Sequence, residues 1–160
     1  MNATGAANRS RSVEGKLQLV TFKLGEEVYG LPIGHVREII TTRRPTRLPG
    51  SAAHVSGLIN LRGEVIPVFQ LRVWFGLKDE APAASATIIT EWKDERFGFQ
   101  VDSVQQVVWL ERGQIDPPTI QFQQHSPHIS GLGKHEGRLI ILLDLDALFR
   151  DSDEDAQGRS

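Results

Sequence analysis

The hydrophobic positions of this chain recur mainly with a period of two, the spacing of strands that bury one face. Leu17, Leu19 and Thr21 alternate with Gln18, Val20 and Phe22 as far as Gly25-Glu26-Glu27, and Val28-Tyr29-Gly30-Leu31 then resumes. A polar break between two such runs predicts a hairpin. Residues 87–101 (TIITEWKDERFGFQV) predict a second, with Lys93-Asp94-Glu95 at its tip. Residues 33–40 and 101–110 are apolar at alternate positions and extend each hairpin as strands. EVIPVF at 64–69 and RLIILL at 138–143 are rich in β-branched and aliphatic residues, and each follows a glycine that can turn the chain. Pro67 has no N–H to donate, which predicts an edge strand or a bulge there. Short helices are expected near 50–56, at 70–76 and at 144–150, with Asp144 or Asp146 capping the last.

These elements occur twice in the same order. Residues 28–40 fall on 96–108 at an offset of 68, and residues 55–75 fall on 129–149 at an offset of 74. Gly57 meets Gly131, Gly63 meets Gly137, Ile66 meets Ile140 and Phe75 meets Phe149, while the charged positions diverge. Agreement at turn glycines and apolar positions is what a duplicated backbone keeps when its surfaces separate in function. Short strands at regular spacing with glycine and proline turns favour two small β-barrels over a βαβ fold. The repeat halves are expected at about 17–76 and 86–150, inside a folded region of 16–150. Residues 1–15 and the acidic stretch 151–160 are too polar to repay ordering and are expected to be tails.

Composition narrows the chemistry. A net charge of −2 and a pI near 6.2 give no general attraction to phosphate or anionic lipid. With no cysteine, disulfides, thiolate metal sites and cysteine nucleophiles are excluded. The first residues lack the apolar core of a signal peptide, and no run approaches the ~20 apolar residues of a membrane span, so a cytoplasmic location without membrane insertion is expected.

His125, His128 and His135 come nearest to a metal cluster, but two of them lie in a proline-bracketed loop without a thiolate; no metal and no cofactor is expected. Asp144 and Asp146 are spaced like an acid–base pair, yet a strand-to-helix junction uses such residues as caps. Nothing in the chain argues for catalysis. Arg43, Arg44 and Arg47, with Arg37 nearby, form a basic patch in the first linker; a solvated loop, an acidic partner, or nucleic acid on a small β-barrel are the readings it admits. In Asn60-Leu61-Arg62-Gly63 the residue before the glycine is positive, whereas Glu136 stands there in the second copy. A guanidinium offers two-point pairing to a carboxylate, with Glu38 as a candidate partner.

The succession Leu24-Gly25-Glu26-Glu27-Val28-Tyr29-Gly30, Val36-Arg37-Glu38-Ile39, Val55 to Gly63, Ile66-Pro67-Val68 and Ile129-Ser130-Gly131-Leu132-Gly133 resembles the CheW family of chemotaxis coupling proteins, over about residues 17–149. The resemblance implies a mainly β fold of two intertwined SH3-like five-stranded barrels and a non-catalytic adaptor. Such an adaptor bridges the cytoplasmic tips of methyl-accepting chemoreceptors to the regulatory domain of the histidine kinase CheA, and joins CheW-like modules in rings. Carried over by motif, Val36, Glu38, Ile39, Gly57 and Arg62 would belong to the receptor-docking groove, with Glu38 and Arg62 as a possible ion pair. Phe122 would fall in a region of kinase or ring contact. Gln70 departs from the aspartate that many members carry before Leu-Arg.

Overall fold

A computed structural model of the protein describes residues 15–77, 85–119 and 127–156. The first hairpin joins β1 (Lys16–Leu24) to β2 (Glu27–Pro32), and a 3-10 turn at Ile33–His35 leads into β3 (Val36–Thr41). β4 (Val55–Leu61) and β5 (Glu64–Gln70) follow, then the single-turn helix α1 (Leu71–Trp74). The second copy supplies β6 (Ala86–Trp92), β7 (Glu95–Val101), β8 (Ser103–Glu111), the short β9 (Ile115–Asp116), β10 (Ile129–His135), β11 (Arg138–Leu143) and α2 (Leu145–Ala156).

The repeat halves are not the two sheets. One sheet runs β3-β6-β7-β5-β4 and the other β9-β10-β11-β2-β1-β8, so each copy lends its hairpin to the other's sheet. The exchange is made by one parallel contact used twice: Gly98 of β7 pairs with Val68 of β5, and Gly30 of β2 pairs with Leu142 of β11. A side chain at either glycine would crowd its neighbours. A Cβ on Gly98 would lie 2.9 Å from Thr87 Cγ2, and one on Gly30 would lie 3.1 Å from Ile140 Cγ2.

In the first sheet the linker that follows β3 runs back against β4. Arg43 donates from its side chain to the Asn60 carbonyl of β4 at 3.0 Å, and the linker forms a single bridge, Thr46 to Leu58. At the equivalent place in the second sheet Asp116 pairs with Leu132 as part of β9, which makes that sheet six-stranded. The largest apolar cluster lies between the copies and draws on both, including Phe22, Leu31, Phe69, Phe99, Leu148 and Phe149. Burying a side chain of this size is worth ~1.5–3 kcal/mol, so the exchange of hairpins is stabilised chiefly by the core it shares.

Three local expectations are corrected. Residues 50–54 form turns and no helix, because Pro49-Gly50 breaks the chain and Val55 already enters β4; Ser51 bonds back to the Leu48 carbonyl. Pro67 lies in a strand with neighbours on both sides, and the bulge is on β4 between Val55 and Gly57. The proline is tolerated because the ladder with β7 begins one residue later, at Val68. Helix α2 continues to Ala156, into the acidic stretch whose composition suggested a tail. Asp144 caps that helix as expected, accepting from Ala147 N–H at 3.2 Å. Residues 1–14 and 157–160 lie outside the described residues.

Candidate docking site

Strand β3 is the end strand of the five-stranded sheet and pairs only with β6, Glu38 opposite Ile89 and Ile39 opposite Ile88. Its alternation leaves Val36 half-buried against the shared core and Ile39 45% exposed. Between them Glu38 projects toward the β4–β5 turn. There Arg62 has φ +52° and Gly63 φ +90°, two left-handed residues in succession, as a two-residue hairpin turn demands. Asn60 Oδ1 holds the turn by accepting from Gly63 N–H at 2.8 Å. Arg62 is thereby presented to Glu38, and its guanidinium donates to Glu38 Oε2.

The Arg62 side chain is 67% exposed, so the pair contributes only ~0–1 kcal/mol to stability. Its larger effect is to fix two side chains at the rim of the barrel. Further ion pairs lie on the same sheet: Arg96 donates to Glu64 at 2.5 Å and approaches Glu91 at 3.6 Å, and Arg37 reaches Glu91 at 3.2 Å. The hydrogen bond it donates to Glu64, and that carboxylate's charge, raise the affinity of the Arg96 guanidinium for its proton. The second barrel has none of this pairing, since Glu136 occupies the position of Arg62 and Gln106 that of Glu38. Glu136 has the same left-handed backbone, φ +51°, and its neighbour at 3.7 Å is His135.

Gly57 does not share this surface. It is buried with φ +140°, and a Cβ there would lie 2.1 Å from the Thr46 carbonyl oxygen. Thr46 and Leu58 exchange both backbone hydrogen bonds at 2.8 Å, pressing the linker onto β4 at that point. Phe122 and His125 lie outside the described residues. His128 stacks obliquely on Trp74 at 5.2 Å, and His54, its repeat equivalent, stacks on the same ring at 4.3 Å. Among the described residues no group of three histidine or acidic side chains is placed to hold a metal ion. No helix among them is long and apolar enough to cross a membrane.

Sequence reasoning passed over two features. Val65, Leu139 and Val107 are apolar yet 63%, 58% and 49% exposed, and Leu139 and Val107 are the repeat equivalents of Val65 and Ile39. An offset comparison of apolar positions could have found them. The other is a buried Arg72–Asp102 pair, whose residues are 30 positions apart with no local pattern joining them.

A fold of two hairpin-exchanged β-sheets with a rim of exposed aliphatic and paired charged residues defines a protein-docking module. The CheW-like domain family matches residues 18–153, and the chain belongs to that family. It is 30% identical over 146 residues to the chemotaxis protein CheW of Helicobacter pylori, covering 91% of this chain and 88% of that one. To CheW of Treponema pallidum it is 32% identical over 141 residues, covering 84% and 82%. The crystal structure of the scaffolding protein TtCheW from Thermoanaerobacter tengcongensis superposes with a TM-score of 0.74 at 33% identity, covering 79% of this chain and 87% of that one. The chain is thus a chemotaxis adaptor with a CheW-like fold. Its relatives lend no support to nucleic-acid binding through Arg43, Arg44 and Arg47.

Proposed function

We propose that this protein couples the cytoplasmic tips of methyl-accepting chemoreceptors to the regulatory domain of the histidine kinase CheA, as a cytoplasmic scaffold without catalytic activity. The observation that carries this is the rim of the first barrel. There the Glu38–Arg62 pair fixes the ends of β3 and the β4–β5 turn beside the exposed Ile39, and the second barrel lacks the pair. An adaptor that joins unlike partners needs such asymmetry between otherwise matching modules. Val36, Glu38, Ile39 and Arg62 form the receptor-docking face, with Gly57 supporting it from beneath through Thr46. Phe122 serves the kinase or a neighbouring CheW-like module in a ring.

The test is separate binding of the full chain to a receptor cytoplasmic fragment and to a CheA regulatory domain, followed by kinase activity in the three-component mixture. Binding to both, with activity dependent on the adaptor, is expected. Failure to bind either partner, or detectable phosphotransfer by the chain itself, would refute the assignment.

A further inference from the structure

The linker between β3 and β4 has a charge pattern that the docking rim does not use. Arg43 is held by the Asn60 carbonyl, but among the described residues the exposed side chains of Arg44 and Arg47 have no ion-pair or hydrogen-bond partner. They are held in place all the same. Pro45 and Pro49 restrict the backbone on either side, and the paired hydrogen bonds of Thr46 with Leu58 clamp the segment onto β4.

Beside Arg47 opens a cavity of about 310 Å³ lined by Leu48, Pro49, Ala52, Ala53 and Val55. Arg47, Ser51 and Ser56 also line it, so its apolar side chains are edged by polar groups. The second copy does not repeat the three arginines: aligned on Thr46 and Asp116, their places are taken by Gly113, Gln114 and Pro117. Asp116 there is already paired with Lys134 at 3.1 Å. On the first barrel, then, a cationic strip of fixed backbone lies next to a recess that Leu48, Pro49, Ala52, Ala53 and Val55 help to line.

We propose that this linker is a second docking surface, distinct from the Glu38–Arg62 rim, which receives an acidic protein segment carrying an apolar residue beside its carboxylates. Arg44 and Arg47 face the carboxylates, and the recess under Leu48 and Val55 takes the apolar side chain. Charge complementarity selects the acidic partner, and the recess selects protein over nucleic acid. A strip that bound nucleic acid would call for exposed aromatic rings to stack bases, and residues 42–56 contain none beyond His54, which is already stacked on Trp74.

The test uses the full chain in two-dimensional amide NMR, titrated with a blocked Glu-Glu-Leu-Glu-Glu peptide, with its Lys-Lys-Leu-Lys-Lys counterpart, and with a short oligothymidylate. The acidic peptide should shift resonances within 44–56 and bind at least fivefold more weakly when salt is raised from about 50 to about 300 mM, because charges on an open surface are screened beyond roughly a Debye length. In Arg44→Gln/Arg47→Gln, whose fold should be unchanged, that affinity should drop at least tenfold. A bulkier Ala53→Trp should weaken the acidic peptide while leaving any purely electrostatic binding intact. The inference is overturned by shifts lying outside the linker, by binding that survives the double substitution, or by oligothymidylate binding the same residues as tightly as the acidic peptide.

Discussion

Arg72 and Asp102 meet in a buried two-point ion pair, Nε to Oδ1 at 2.7 Å and a terminal nitrogen to Oδ2 at 3.1 Å, with each side chain less than a tenth exposed. Asp102 Oδ2 also accepts from the Gly25 N–H at 2.7 Å. One carboxylate thus ties together α1, the β7–β8 junction and the turn of the N-terminal hairpin. The repeat equivalents are Asp146 and Gly34, which cannot pair, so the tie is made once. Asp102→Ala should cost ~3–5 kcal/mol, because it removes the carboxylate that the buried guanidinium meets at two points. Arg72→Met/Asp102→Ala should cost much less than the two single changes summed. Denaturant unfolding of the three variants measures this, and simple additivity would exclude the pair as a coupled unit.

Arg62→Ala should leave the unfolding midpoint nearly unchanged, by ~0–1 kcal/mol, since the pair with Glu38 is open to water. Receptor co-sedimentation should nevertheless fall. The exchange Glu38→Arg/Arg62→Glu should recover part of it if the pair orients the rim, and none if Arg62 contacts the receptor alone.

Ile39 and Val36 of β3 should behave differently. Ile39 is nearly half exposed, so Ile39→Asp should fold normally and lose receptor binding. Val36 packs on the shared core, and Val36→Asp should lower stability by several kcal/mol as well, through burial of an unpaired charge. Comparing melting temperatures with chemical-shift maps of a receptor-tip fragment separates the two effects.

Gly57→Asp should destabilise the first barrel and not merely obstruct a partner. The new Cβ would clash with the Thr46 carbonyl, and the residue would have to keep a φ of +140°. Amide exchange at Thr46 and Leu58 should accelerate; full protection there would contradict this.

Tyr29 is the sole tyrosine, so its ionisation can be followed by near-ultraviolet absorbance without interference. Burial first, and the charge of Glu27 second, raise its hydroxyl above the ordinary value of 10.0. A raised folded value means its contribution to stability is complete below the unfolded value and is lost as pH climbs through the folded one. Native protein should therefore titrate at higher pH than urea-unfolded protein and should weaken in strong alkali. Glu27→Gln should lower the native midpoint only in part.

Period-two alternation marked the hairpins, and offset glycines marked the repeat, because both follow from local sterics that a linear chain displays. Glu38 and Arg62 were candidates as partners because a charge reversal between copies is visible by alignment alone. Helices at 70–76 and 144–150 were legible for the same local reason, whereas the expected helix at 50–56 yielded to the start of β4. Gly57 stood out as a repeated glycine, yet its role as the seat of Thr46 depends on a linker that folds back over it. Which hairpin enters which sheet, the meeting of Arg72 with Asp102, and the stacking of His54 and His128 on one tryptophan were decided only in three dimensions. Each joins residues far apart in sequence through the shared core, and no periodicity within one segment records where another segment will pack.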